Sequence, residues 1–363
     1  MAEHSTIEWT DATWNPVTGC SIVSPGCTNC YAMGLAGTRL QHHKSRKGLT
    51  RPSKAGPVWN GQVRLNERWL TQPLQWKRPR MIFVCAHGDL FHESVPDAWI
   101  DRVFAVMALA HQHTFQVLTK RSARMRAYFA DLAPASRRVS AIRTATAPFV
   151  SMALDSARPY RFPLPNVWLG VSAEDQRRAD ERVPDLLATP AAVRFVSAEP
   201  LLGPIDFTQI SLGMKPGYVI GENGEPDRPE TFKVVRDALM DTGGDFERLD
   251  WIIVGGESGP NARPMHPDWA RQIRNACAAN GVAFHFKQHG AWAAIEQSAG
   301  ADKAGWQGRG DWMILSVDGD LDIPDDRWPD ETAGEVAVVR VGKKAAGRLL
   351  DGVEHNGMPE VRI

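Results

Sequence analysis

Val167-Trp168-Leu169-Gly170-Val171, then a helical pattern over 173–187, then Val193-Arg194-Phe195-Val196: this stretch decides the fold. Both runs are short, continuous and apolar rather than alternating, the pattern of parallel strands covered by helices on a face. Each run also ends on polar residues, Ser172-Ala173-Glu174-Asp175 after the first and Ser197-Ala198-Glu199-Pro200 after the second. Similar runs lie on both sides. Met81-Ile82-Phe83-Val84-Cys85 and Phe115-Gln116-Val117-Leu118-Thr119 precede it, and Trp251-Ile252-Ile253-Val254 and Val282-Ala283-Phe284-His285-Phe286 follow. An initial strand is expected within residues 6–17. Helical patterns fall over 97–111, over 122–132 with Ser122 as the cap, and over 267–280 before Asn280-Gly281.

Strand and helix alternate six or seven times without a reversal signal, which favours a (β/α) barrel, partial or complete, over an open doubly wound sheet. Two insertions interrupt the series, one over 134–165, rich in Pro, Arg and Ala, and a glycine-rich one over 203–248. The barrel is assigned to 1–299. Residues 300–363 read as a C-terminal extension packed on it, acidic as far as Glu335 and basic at Lys343-Lys344.

Composition bounds the function. The 363 residues are 43% hydrophobic and 23% charged, and the chain can bury a large core without disulfides. No apolar run is long enough to span a bilayer, and the start of the chain does not read as a secretory signal. A membrane partner is not expected. Five cysteines, an odd number, point to a reducing, cytoplasmic setting. The net charge of zero hides a split: residues 12–154 hold 19 Lys and Arg against 6 Asp and Glu, a surplus of 13 that the rest of the chain cancels. That asymmetry suggests a polyanion, a nucleic acid or nucleotide, held on the N-terminal half. The alternative is that the two halves attract each other.

In parallel α/β folds the chemistry gathers at the carboxyl ends of the strands. Here those ends carry His87-Gly88-Asp89, Thr119-Lys120-Arg121, Ser172, Glu199, Gly255-Gly256-Glu257 and Lys287-Gln288-His289. Ser172 and Asp89 could also be ordinary helix caps. Cys20, Cys27 and Cys30 follow the first strand within eleven residues, whereas Cys85 and Cys277 are solitary and read as inert buried thiols. Three clustered thiols suit zinc with His42 or His43 as a fourth ligand, or an iron–sulfur cluster with one iron left for another ligand.

The opening Ile7-Glu8-Trp9-Thr10-Asp11-Ala12-Thr13-Trp14-Asn15-Pro16-Val17-Thr18-Gly19-Cys20, with Cys27-Thr28-Asn29-Cys30-Tyr31-Ala32, resembles a phage-associated family of uncharacterised three-cysteine proteins. The runs Asp89-Leu90-Phe91-His92-Glu93, Ser197–Pro204, Gly255–Gly259, Arg263–Pro267, Phe286-Lys287-Gln288 and Ala346–Gly352 extend the resemblance over nearly the whole chain. That family in turn resembles the radical S-adenosylmethionine (SAM) superfamily, distantly the spore photoproduct lyases, although the spacing here is C-x6-C-x2-C where that superfamily usually has C-x3-C-x2-C. The resemblance implies a barrel of radical SAM type and a [4Fe–4S] cluster on Cys20, Cys27 and Cys30. It further implies SAM bound near Asp89, Ser172, Glu199 and Glu257, an external electron donor, and reductive cleavage of SAM to a 5′-deoxyadenosyl radical acting on a nucleic-acid base or nucleotide. Lys120, Arg121 and Lys287 are the candidates for substrate contacts. The competing readings are a non-catalytic zinc- or cluster-stabilised nucleic-acid-binding protein, and a metal-dependent nuclease using Asp89, Glu199 and Glu257.

Overall fold

The computed structural model describes residues 5–133, 136–155, 160–220, 226–241, 247–295, 312–322 and 329–360. Seven strands form one sheet: β1 (Ala12–Trp14), β2 (Met81–Val84), β3 (Thr114–Thr119), β4 (Val167–Ser172), β5 (Val193–Ala198), β6 (Trp251–Gly255) and β7 (Ala283–Gln288). They lie in sequence order and every adjacent pair is parallel. The absence of any reversal in this order is what the sequence pattern predicts for a barrel.

The sheet is curled into a half-barrel, and one side chain demonstrates it. The Trp9 ring lies 4.9 Å from Phe83 on β2 and 6.1 Å from Trp251 on β6. Four strand spacings separate those strands, roughly 19 Å on a flat sheet. Only a concave sheet lets one indole reach both. Trp168 and Phe195 complete this apolar floor with Trp251. Gly170 makes room for it, since a Cβ there would stand 2.5 Å from the Phe195 ring.

The alternate residues, Ile82, Val84, Val117, Leu169, Val196, Ile252 and Val254, face outward into the main core under the helices. Helix α1 spans Tyr31–Gly37, α2 Asp97–Leu109, α3 Ser122–Tyr128, α4 Arg137–Thr146, α5 Gln176–Leu187 and α6 Pro267–Asn280. Helix α6 stops where Asn280-Gly281 signals, with Gly281 left-handed at φ 61°. Two capping expectations are corrected. Ser122 lies inside α3 and its hydroxyl donates to Asp185 rather than capping, and α5 is capped by Asp175, which accepts from the Arg178 amide at 2.8 Å, not by Ser172.

Both insertions contain regular elements among the described residues. Helix α4 falls in the first and packs on α2, joined to it by ion pairs from Arg138 to Asp97 and Asp101. The second contains an antiparallel hairpin, Ile210–Ile220 with Pro226–Arg236. Past the half-barrel a four-stranded antiparallel sheet assembles Trp292–Ala294, Glu335–Arg340, Trp312–Ser316 and Leu321–Asp322. Its first strand precedes residue 300, so the small sheet begins inside the segment read as barrel. The chain then returns along β7, where Phe286 N donates to His355 O and Gly357 N to Phe284 O, which covers the otherwise open edge of the sheet.

Candidate functional site at the strand ends

Moving along each strand past the aromatic floor, the concave face turns polar. On β4 the inward positions run Trp168, Gly170, Ser172, and on β5 Val193, Phe195, Ser197, with Glu199 beyond; in register, Ser172 sits beside Ser197. Lys120 Nζ donates to Ser172 Oγ at 2.5 Å and pairs with Glu174 at 3.4 Å. Lys287 pairs with Glu199 at 3.0 Å, and Ser197 Oγ donates to the other Glu199 oxygen at 3.2 Å. Gly255 opposes Glu199 because a Cβ there would lie 2.7 Å from its carboxylate. Thus Ser172, Glu199, Lys120 and Lys287, dispersed over 168 residues, meet on one rim.

The cysteine loop lies over that rim. It leaves β1 through Gly19, whose φ of 98° and whose Cβ position, 2.1 Å from Gln62 O, exclude any side chain. Gly19 N donates to His87 O, tying the loop to the turn after β2. Cys20, Cys27 and Cys30 are free thiols close enough to act on one another electrostatically. Burial pushes the Cys20 thiol up to about 12, with Asp89 adding to the rise and Arg121 opposing it, and burial raises Cys30 as well. Unliganded, both are therefore held protonated, and a bound metal is what would draw off their protons.

Two buried carboxylates staple the loop from opposite sides. Glu174 accepts from Gly26 N at 2.9 Å, from Arg182 at 3.1 Å and from Lys120. Burial alone would raise this carboxyl; Lys120, the Ser24 hydroxyl, Arg182 and the Gly26 amide outweigh it and hold it at about 2. Glu257 accepts from Asn29 Nδ2 at 2.9 Å and, at both oxygens, from Arg263, which also donates to Pro25 O. Glu257 is likewise held below the ordinary carboxylate range, against the effect of its burial. One staple grips the residue before Cys27 and the other the residue before Cys30.

Asp89 and Arg121 form a third support. The Asp89 carboxylate accepts from Phe91 N, Thr119 Oγ1, Lys120 N and Arg121 Nη1, so both its oxygens are engaged within the protein. Arg121, 6% exposed, donates also to Cys20 Sγ at 3.3 Å and to Ser21 O and Oγ. Its guanidinium is committed to the cysteine loop. Ser21 Oγ lies 3.0 Å from His92 Nε2, but His92 Nδ1 accepts from Ser94 N. The neutral ring then carries its proton on Nε2 and donates it to Ser21, the reverse of what a serine nucleophile needs from a base.

Among the described residues no three His, Cys, Asp or Glu side chains converge on one ion position. His43 Nδ1 is 2.7 Å from Ser45 Oγ, and its ring stacks on Trp69. A four-iron cluster makes a different demand from a single ion, because each thiolate binds a separate iron. Cys20, Cys27 and Cys30 are three free thiols on one loop, which Glu174, Glu257 and Arg121 tie to the ends of three strands. Glu174, Asn29 and Arg263 fall within runs quoted from the sequence but were given no site role there, and Arg182 was not named. Arg182 had a signal, since it falls on the apolar face of α5 with Ala179, Val183 and Leu186.

The fold and site define a class: a parallel half-barrel whose mouth is polar and whose first strand leads into a stapled three-cysteine loop. The chain belongs to the family described as protein of unknown function (DUF5131), whose model matches residues 4–359. Comparison with curated proteins and with solved structures gave no match. Among the described residues no helix is long and apolar enough to cross a membrane.

Proposed function

We propose that the protein is a radical SAM enzyme that acts on a nucleic-acid base or nucleotide. The observation that carries this reading is the position of the three thiols, on a loop stapled by Glu174 and Glu257 above the polar rim of the half-barrel. Cys20, Cys27 and Cys30 would hold a [4Fe–4S] cluster. With SAM and an external electron donor, such a cluster supplies one-electron cleavage of the sulfonium bond.

The chain's own residues do the rest. Glu199 and Ser172 line the rim and can accept or donate hydrogen bonds to a ribose or an amino group. Lys287 and Lys120 keep that rim electrically balanced while remaining able to turn to an anion. Asp89 and Arg121 act as positioning residues for Cys20 and Ser21. Glu257, read from sequence as a cofactor contact, is better cast as a positioning residue for Asn29 and Cys30. The aromatic floor closes the mouth from below and excludes water from it, as a reactive intermediate requires. For nucleic acid, the exposed bases Arg39, Lys44, Lys47, Arg51 and Lys54 beside the cysteine loop are the better candidates, since Arg121 is spent internally.

The nuclease reading has less support. Asp89, Glu199 and Glu257 belong to three separate networks, each carboxylate already bonded to protein donors. The test is an anaerobic SAM-cleavage assay on reconstituted, reduced protein, with and without DNA. Methionine and 5′-deoxyadenosine are expected, and DNA that is cut with magnesium by a triple cysteine variant would instead support the nuclease.

A further inference from the structure

Tyr31, which opens helix α1 directly after Cys30, is the most exposed aromatic side chain among the described residues, at 55%. A lone exposed ring that is free to turn needs no explanation. This ring is not free. Its hydroxyl donates to Ala86 O at 2.6 Å, and the His87 ring meets it nearly at right angles, with the centroids 5.8 Å apart. The hydroxyl is a small part of the side chain, so the open surface belongs to the ring. Tyrosine joins a polar tip to an apolar body; here the tip is tied down and the body is left uncovered.

The anchor places the ring at the mouth. Ala86 follows β2, and its side chain packs in the floor cluster with Trp9, Phe83 and Trp168. Tyr31 therefore reaches from the cysteine loop to the inner end of β2. His87, its other contact, sits in the turn tied to the base of that loop, since Gly19 N donates to His87 O and His87 N to Asn15 Oδ1. A ring fixed before a ligand arrives loses little rotamer freedom on stacking. Beyond α1 the chain carries Arg39, Lys44, Lys47, Arg51 and Lys54, all exposed, and residues 12–66 contain no acid. An uncovered, immobile ring followed by a basic, acid-free segment is the pairing by which single strands are held: stacking for the base, positive charge for the backbone.

We propose that Tyr31 is a stacking platform for one unpaired base of a nucleic-acid strand whose phosphates follow the basic segment. This deepens the reading of the mouth as the site of a nucleic-acid base, and rests on it. Inside a duplex each base is stacked on both faces, so only an unpaired or flipped base can lay its ring on Tyr31. The platform does not select among bases, because every base has a π-face. It does separate a strand that carries bases from one that carries phosphates alone, which backbone charge cannot do.

Fluorescence anisotropy of the full-length protein tests this with oligothymidylate, an abasic strand of the same length, and the duplex of oligothymidylate with oligoadenylate. Wild type should bind oligothymidylate about tenfold more tightly than the abasic strand, which has the same phosphates, and more tightly than the duplex. Tyr31→Leu should erase the preference over the abasic strand while leaving abasic binding unchanged, and Tyr31→Phe, which keeps the ring, should retain most of it. Photocrosslinking of wild type to a strand containing 5-iodouracil needs no variant to fold, and the crosslink should map to Tyr31. An unchanged preference in Tyr31→Leu, or a crosslink that maps elsewhere, would overturn the platform alone. Loss of SAM affinity in Tyr31→Leu with the strand preference intact would overturn it too, by giving the ring to the adenine of SAM. No binding of any strand by wild type would remove the nucleic-acid reading along with the platform, whatever the outcome of SAM cleavage.

Discussion

The floor and the rim of the half-barrel are built from the same strands, two to four residues apart, and they answer to different physics. On β4, Trp168 belongs to the floor and Ser172 to the rim; on β5, Phe195 and then Ser197 with Glu199 make the same change. The floor is held by ring packing, so its worth scales with buried area and shape. The rim is held by charge pairs whose members are replaceable by ligand atoms. Apolar packing and polar pairing are thus segregated by height along each strand, not by domain.

Substitutions can break that contrast, and the largest effect belongs to the floor. Trp251 contacts Trp9, Trp168 and Phe195, and its Nε1 donates to Gly357 O at 2.8 Å. Trp251→Ala should cost about 3–5 kcal/mol in urea unfolding. A loss under about 1 kcal/mol would mean that the floor is not a packed layer.

Glu174 lies between the two regions, as a structural charge at the edge of the rim. Glu174→Gln leaves Arg182 and Lys120 without their carboxylate and should cost about 3 kcal/mol. The sign of the pH effect follows from its carboxyl, held at about 2 against an ordinary 4.5. Its contribution is complete above pH 4.5 and is lost as pH falls toward 2. Urea midpoints should therefore drop through that window more steeply in wild type than in Glu174→Gln. Parallel curves would remove Glu174 from the account of the loop.

On the rim itself the effects should be on binding. Glu199→Ala should leave unfolding within about 1 kcal/mol of wild type while weakening SAM binding at least tenfold, about 1.4 kcal/mol. Equal affinity in calorimetry would place SAM elsewhere. The smallest effect is expected on the exposed arm, where Arg51→Ala/Lys54→Ala should reduce the log–log salt slope of DNA binding by about 1.8, at 0.9 per phosphate contact. An unchanged slope would return the surplus of positive charge to an internal role.

Much of this was legible in the sequence, and the exceptions have physical causes. The strands could be read because residues buried on both faces leave continuous apolar runs, as at Val167–Val171. Helix α4 could not, because only Val139, Ile142 and Thr146 of its ten residues are buried, too sparse an apolar stripe to register. The hairpin Ile210–Ile220 with Pro226–Arg236 was masked by the glycines and prolines around it. Cysteine clustering is local in sequence and was visible. The staples were not: Gly26 and Glu174 are 148 residues apart, Asn29 and Glu257 228, and no local pattern encodes such a pair.

The central claim, that the stapled loop holds a [4Fe–4S] cluster at the mouth, is tested most directly by anaerobic reconstitution followed by iron, zinc and sulfide analysis and a visible spectrum. The account predicts a brown protein with about four irons per chain, colour lost in Cys20→Ala, Cys27→Ala and Cys30→Ala, and colour kept in Cys85→Ala and Cys277→Ala. A colourless protein carrying stoichiometric zinc, or colour lost only with Cys85 or Cys277, would contradict it.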